Sequence, residues 1–162
     1  MQIRVILKLL ALLTLANGTP VMAKNILRDY TAHPLDGGLR FIDGRPLFGP
    51  SKTIRGIVLS LLVTSAGAPL LGLPWKLGAL VAALAMTGDL FSSFLKRRIH
   101  LLSGDRATGL DQVPESLFPL LACRDWLSLT ASEIAVTVVI FFVGQVFVSR
   151  LLHKMHLRDR PY

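Results

Sequence analysis

The stretch GDLFSSFLKRR, residues 88–98, carries an acid, two hydroxyls and a cation at helical spacing. Asp89, Ser92, Ser93 and Lys96 stand at i, i+3, i+4 and i+7, so a helix presents all four along one stripe. The run before them, LGALVAALAM, is membrane-like. A carboxylate at the hydrocarbon edge costs roughly 2.5–3.5 kcal/mol on insertion scales and therefore marks either a pairing or a function. Two more acids, Asp105 and Asp111, follow in IHLLSGDRATGLDQVPE. One or two carboxylates, completed by phosphate oxygens and water, are the usual way Mg²⁺ is held at a phosphoryl-transfer centre. Each acid also has a structural role open to it. Asp89 can pair with Lys96 or Arg97, Asp105 can sit in an exposed turn, and Asp111 can cap a helix that Pro114 helps to start.

A second chemical segment precedes this one: HPLDGGLRFIDGRPLFGPSKTIRG, residues 33–56. Gly37, Gly38, Gly44, Gly49 and Gly56 permit close backbone approach, Arg45, Lys52 and Arg55 suit several phosphate oxygens, and Thr53 adds a hydroxyl donor. Asp36 and Asp43 can bind a cation or hold the arginines in place. Lys52 and Arg55 lie three apart at the expected start of a helix, where the N-terminus already favours an anion. GPSKT lacks the spacing of a Walker A loop. The competing reading is a solvated basic loop lying on anionic lipid heads.

The elements that must position these segments are membrane helices. The 162-residue chain is 52% hydrophobic and 17% charged, with a mean hydropathy of +0.55, which excludes an ordinary soluble domain of this size. Apolar runs at roughly 3–23, 56–73, 77–95 and 132–152 suffice to cross a bilayer, and a shorter one at about 113–123 makes a fifth span. Thr130 and Glu133 have capping-box spacing before the last of them. Fourteen of the 18 Lys and Arg fall in 24–56, 96–112 and the tail. Five spans bring these three segments to one side, which the positive-inside rule makes cytoplasmic, with the N-terminus outside.

The N-terminus also resembles a signal peptide ending at Val21-Met22-Ala23, but cleavage would export the most basic loop, and Lys8 interrupts the apolar core. The segment is therefore retained as the first helix of a single 1–162 domain in a multi-pass protein of the cell membrane. Cys123 alone makes no disulfide framework, and the histidines at 33, 100, 153 and 156 form no convincing metal set. The basic balance serves lipid and phosphate, with no nucleic-acid partner.

LDGG, DGRPLFGPSKTIRG and GDLFSSFLKRR with the downstream LDQVPE resemble the CDP-archaeol synthase family, five-span relatives of the CDP-diacylglycerol synthases. The resemblance implies CTP-dependent cytidylylation of a lipid phosphate, of archaeal ether-lipid or phosphatidate type, with release of pyrophosphate and a requirement for Mg²⁺. Gly88-Asp89 and Ser93-Lys96-Arg97 match the wider superfamily's helix-end signature, and Asp111 matches its second acid. The HGG-x-x-DR-x-D element of the diacylglycerol enzymes is missing, which favours the archaeal branch. On this reading Asp89, Asp111 and Asp36 serve the metal, while Lys52, Arg55, Lys96 and Arg97 neutralise the triphosphate. The glycine loop, with Asp43, Arg45, Thr53, Ser92 and Ser93, binds substrate. A CDP-alcohol phosphotransferase, whose acidic pattern is absent, and a non-enzymatic membrane scaffold are the alternatives.

Overall fold

The structure, a computed structural model, describes residues 2–27, 30, 32–103, 105 and 107–154, the last four by backbone alone. His156 and the closing RDRPY lie outside the described residues, as does the side chain of His153. Five helices follow in order: α1 (Ile3–Leu27), α2 (Ile54–Leu70), α3 (Trp75–Arg98), α4 (Gln112–Ala122) and α5 (Ala131–Lys154). Among the described residues the chain is all-helical, with isolated bridges Pro34–Thr53 and Arg40–Pro46 inside the first loop. All five expected spans correspond to helices. α1, α3 and α5 are long and apolar enough to cross a bilayer.

The helices begin and meet where local chemistry allows. Thr53 caps α2, its Oγ1 accepting from Gly56 N–H at 3.2 Å. The expected box opens α5: Glu133 N–H donates to Thr130 Oγ1 at 3.3 Å, and the Glu133 carboxylate accepts from Thr130 N–H at 3.0 Å. On α1, Leu9, Leu12, Leu13 and Ala16 form one buried apolar stripe. Small residues let the backbones approach. Ser60 of α2 donates to the Ala16 carbonyl at 2.7 Å, and a Cβ on Gly78 of α3 would lie 2.5 Å from the Thr64 carbonyl oxygen. α3 occupies the middle, packed on α1, α2 and α4, whereas α5 meets α4 and α1 alone among the helices.

The chain's polarity follows from two clusters of contacts. Gln2 N–H donates to Glu133 at 2.5 Å, so α1 and α5 start at the same end. At the other end the loop between α1 and α2 packs on the loop between α3 and α4, with Ser51 N–H donating to Ser103 Oγ at 3.3 Å. α4 has 11 residues, about 16 Å of helix, which is short for a bilayer. Its start explains the length. The loop after α3 turns back down that helix, so α4 begins beside Gly88, ten residues before α3 ends.

Candidate active site

The polar stripe of α3 forms as the spacing predicts, and it faces inward: Ser92, Ser93, Lys96 and Arg97 are all buried. These groups hold the re-entrant loop. Ser92 Oγ lies 2.7 Å from the Leu110 carbonyl oxygen, and Lys96 Nζ donates to the Asp105 carbonyl at 3.0 Å and pairs with the Asp111 carboxylate at 2.7 Å. Arg97 donates to the Leu101 carbonyl at 2.6 Å. Asp111 stands at the N-cap position of α4 without a side-chain cap bond, because Lys96 draws its carboxylate away. Asp105 does take the turn role: its carboxylate accepts from Leu102 N–H at 2.9 Å.

The first loop is organised around Asp36. Its carboxylate accepts from Gly38 N–H at 3.1 Å and from Phe48 and Gly49 N–H at 2.9 Å each. Burial opposes its ionisation, but these three donors outweigh burial and hold the carboxyl below the usual carboxylate range. Asp36, expected to serve a metal, thus has both oxygens engaged by backbone donors of its own loop. Gly37, Gly38, Gly44 and Gly49 all have positive φ, as this tight path demands. A Cβ on Gly49 would also meet Ser103 Oγ at 2.8 Å. Gly56 packs against Pro20, so it serves the helix contact instead of a phosphate.

The arginines divide in a way that spacing did not reveal. Arg45 donates to the Arg97 and Arg98 carbonyls at 3.3 and 2.9 Å and touches His100, which satisfies the end of α3. Asp43 holds arginines, as one reading of it expects: it pairs with Arg98 at 2.8 Å and accepts from Arg45 N–H at 3.1 Å. Arg55 turns towards the Tyr30 carbonyl, away from its expected place with the acids.

Lys52 joins the two loops. Its ammonium sits 2.5 Å from both carboxylate oxygens of Asp89. Asp89 thus finds its cation thirty-seven residues upstream, and not in Lys96 or Arg97 one or two turns along its own helix. Both side chains are about one-fifth exposed. The pair lies nine residues, roughly 14 Å, before the end of α3 and so is recessed into the membrane-spanning body.

Glu115 is the residue that sequence reasoning missed. It is buried in the first turn of α4, close to Asp89, Lys52 and Asp111. An acid in a first helical turn ordinarily complements the helix dipole, which conceals any further role. Gly88 brings it there. A Cβ on Gly88 would lie 2.3 Å from the Pro114 carbonyl oxygen and 2.7 Å from Glu115 N, so only glycine lets α4 begin against α3 at this level. The result is a cluster of three carboxylates and two ammonium groups drawn from three segments.

A Mg²⁺ ion fits this donor set in kind: hard carboxylate oxygens in a recess, with the buried Ser93 hydroxyl nearby and without a hydrogen-bond partner among the described residues. No group of three or more His, Cys, Asp or Glu converges as a preformed metal cage among the described residues.

Known proteins place the chain among relatives. The model of the CarS-like family, CDP-archaeol synthase, matches residues 73–162. A CDP-archaeol synthase of Sulfurisphaera tokodaii is 33% identical over 153 residues, covering 91% of this chain and 89% of its own. One from Hyperthermus butylicus is 41% identical over 107 residues, covering 60% and 59%. A solved structure of an intramembrane enzyme for archaeal membrane lipids biosynthesis superposes with a TM-score of 0.75 at 28% identity, over 87% of this chain and 90% of that one.

Proposed function

Because the chain belongs to the CDP-archaeol synthase family and is thereby a membrane CTP-dependent cytidylyltransferase that makes a CDP-lipid, we propose that its lipid substrate is the phosphate of an archaeal-type ether lipid. The names of its relatives support the ether lipid over phosphatidate. The observation that carries the assignment of the site is the cluster itself. Lys52, Asp89, Glu115, Asp111 and Lys96 come together from the first loop, α3 and the start of α4, at a depth where a lipid phosphate can arrive without its chains leaving the bilayer.

A phosphate oxygen of the lipid attacks the α-phosphorus of CTP, the bond from that phosphorus to the β-phosphate oxygen breaks, and pyrophosphate leaves in line. No protein nucleophile is needed, so positioning and charge neutralisation do the catalysis. Lys52 and Lys96 are the ammonium groups nearest the acids and neutralise the phosphates. Asp89 and Asp111, with Glu115 beside them, would hold Mg²⁺, which when bound supplies charge neutralisation for the triphosphate. Arg45, Asp36 and Asp43 act indirectly by fixing the loop that carries Lys52. We place this end of the protein in the cytoplasm of a cell with the N-terminus outside, because CTP is there and the basic loops share that end.

Incubating the purified protein with labelled CTP, Mg²⁺ and a panel of lipid phosphates tests the reading. Turnover is expected to be fastest with the ether lipid, and equal turnover of diacyl phosphatidate would remove the specificity claim. For the orientation, a cysteine at position 47 or 108 in a Cys123→Ala background should resist an impermeant thiol reagent in intact cells, and one at position 75 should react.

A further inference from the structure

The first loop carries, beyond its link to the acids, a hairpin tip whose apolar side chains are exposed. The Arg40–Pro46 bridge closes a short turn, with Phe41 N–H donating to the Arg45 carbonyl at 2.8 Å and Gly44 N–H to the Phe41 carbonyl at 2.8 Å. At its apex Ile42 is 96% exposed, with Leu39 at 65% on its flank. A bare isoleucine and leucine at the tip of a polar loop are costly in water, because each keeps an apolar surface hydrated.

The position of the tip is held rigidly. Phe41 packs edge-on to Phe94 of α3 with ring centroids 5.3 Å apart, and the Arg98 guanidinium lies over both rings, 4.9 and 4.8 Å from their centroids. Arg98 also pairs with Asp43 and donates to the Pro46 carbonyl at 2.7 Å, while Arg45 is bound to the last carbonyls of the same helix. The hairpin is thus welded to the side of the last turn of α3, on the face away from the buried stripe. One turn further into the span, Phe91 is 45% exposed on that same flank. Phe91, Phe94 and Phe41 thus lie along one flank of α3, with the Arg98 guanidinium over the last two rings and Ile42 beyond them.

We propose that this hairpin is an interfacial anchor: Ile42 and Leu39 insert among the lipid chains just below the headgroups, beside the end of α3, while Arg40 meets anionic headgroup phosphates. Three observations select lipid as the occupant. The patch lies on the flank of α3 where Phe91 is exposed within the span. It stands at the level where a spanning helix leaves the hydrocarbon, as the end of α3 with its three consecutive basic residues indicates. With Arg98 paired to Asp43, the exposed Arg40 leaves the rim a net positive charge, which complements anionic lipid. The anchor ties the loop that carries Lys52 to the membrane surface from which the lipid substrate comes.

The test uses the full chain with Trp75→Phe and Trp126→Phe, so that Ile42→Trp supplies the one indole, reconstituted in vesicles of phosphatidylcholine and phosphatidylglycerol. The high exposure of Ile42 means that the substitution disturbs no packing. Lipids brominated at carbons 6 and 7 of the chain should quench the introduced indole at least twofold, and aqueous iodide should scarcely touch it. Strong iodide quenching with no bromine effect would put the tip in water and end the proposal. Protection from both quenchers, with a crosslinked dimer, would end it too by assigning the patch to a second copy. As an independent measurement, a spin label on Ile42→Cys in a Cys123→Ala background should collide more often with oxygen than with a water-soluble nickel chelate. The reverse order overturns the anchor whatever the fluorescence shows.

Discussion

Helices α3 and α5 are both 24 residues long and both apolar enough to span a membrane, yet half of the spanning window of α3 is buried, against 22% for α5. Both also carry buried polar groups, and the difference lies in what those groups bind. On α5, Thr137 Oγ1 donates to the Glu133 carbonyl of its own helix at 2.6 Å, and Glu133 serves the capping box and the neighbouring N-terminus. On α3, Asp89, Ser92 and Lys96 bind segments far away in sequence or returning from a loop. Hydrophobic length alone thus says that a helix spans. Whether it is a lipid-facing post or the floor of a reaction site depends on where its polar groups point.

Asp89→Asn breaks the comparison most severely, since it removes charge from the floor with little change in volume. Cytidylylation should fall by on the order of 10³-fold, the scale for loss of a key electrostatic group, while the protein stays folded and inserted. Near-normal turnover would show that α3 is as passive as α5. Gly88→Val comes next. Its Cβ would collide with the Pro114 carbonyl, so α4 must shift and carry Glu115 away from Asp89. Activity should drop with a stability loss of about 1–3 kcal/mol in thermal unfolding.

Lys52→Ala should raise the KM for CTP about tenfold or abolish turnover, whereas Lys24→Ala, an equal loss of charge in the last turn of α1, should change little. Arg55→Ala should fall between them, because Arg55 donates to the Tyr30 carbonyl. Equal, salt-sensitive losses at all three would mean that the loop acts through its total charge on the membrane surface.

A smaller effect is expected at Asp36. A carboxyl held below its ordinary value stabilises the fold at neutral pH and loses that contribution as pH falls through its lowered value, below about 4. Asp36→Asn should remove the difference in acid stability measured by thermal unfolding at pH 7 and pH 3. The smallest effect belongs to α5. Gly144→Ala meets nothing within 4 Å, so it should leave activity unchanged and alter stability by at most about 1 kcal/mol, in the stabilising direction. A loss of activity there would show that α5 contributes more than a post.

The sequence by itself determined the membrane class, all five helices and the cap of α5, and it singled out two segments for chemistry. Those features rest on short-range rules: apolar length, the i, i+3, i+4, i+7 stripe of α3, the Thr130–Glu133 box, and the family motifs around Asp89 and Lys52. The tertiary structure decided the pairing of those segments. Lys52 met Asp89, Asp111 was drawn from its cap to Lys96, Asp36 turned its oxygens to the loop backbone, and Arg55 and Arg45 were spent on carbonyls. Glu115 was illegible because its role depends on Gly88 admitting the start of α4, a contact between residues on different helices. Charge and spacing state which groups want partners. Which partner each one gets depends on how far the loops fold back into the helices, and that is a property of packing at glycine-sized gaps rather than of any local pattern.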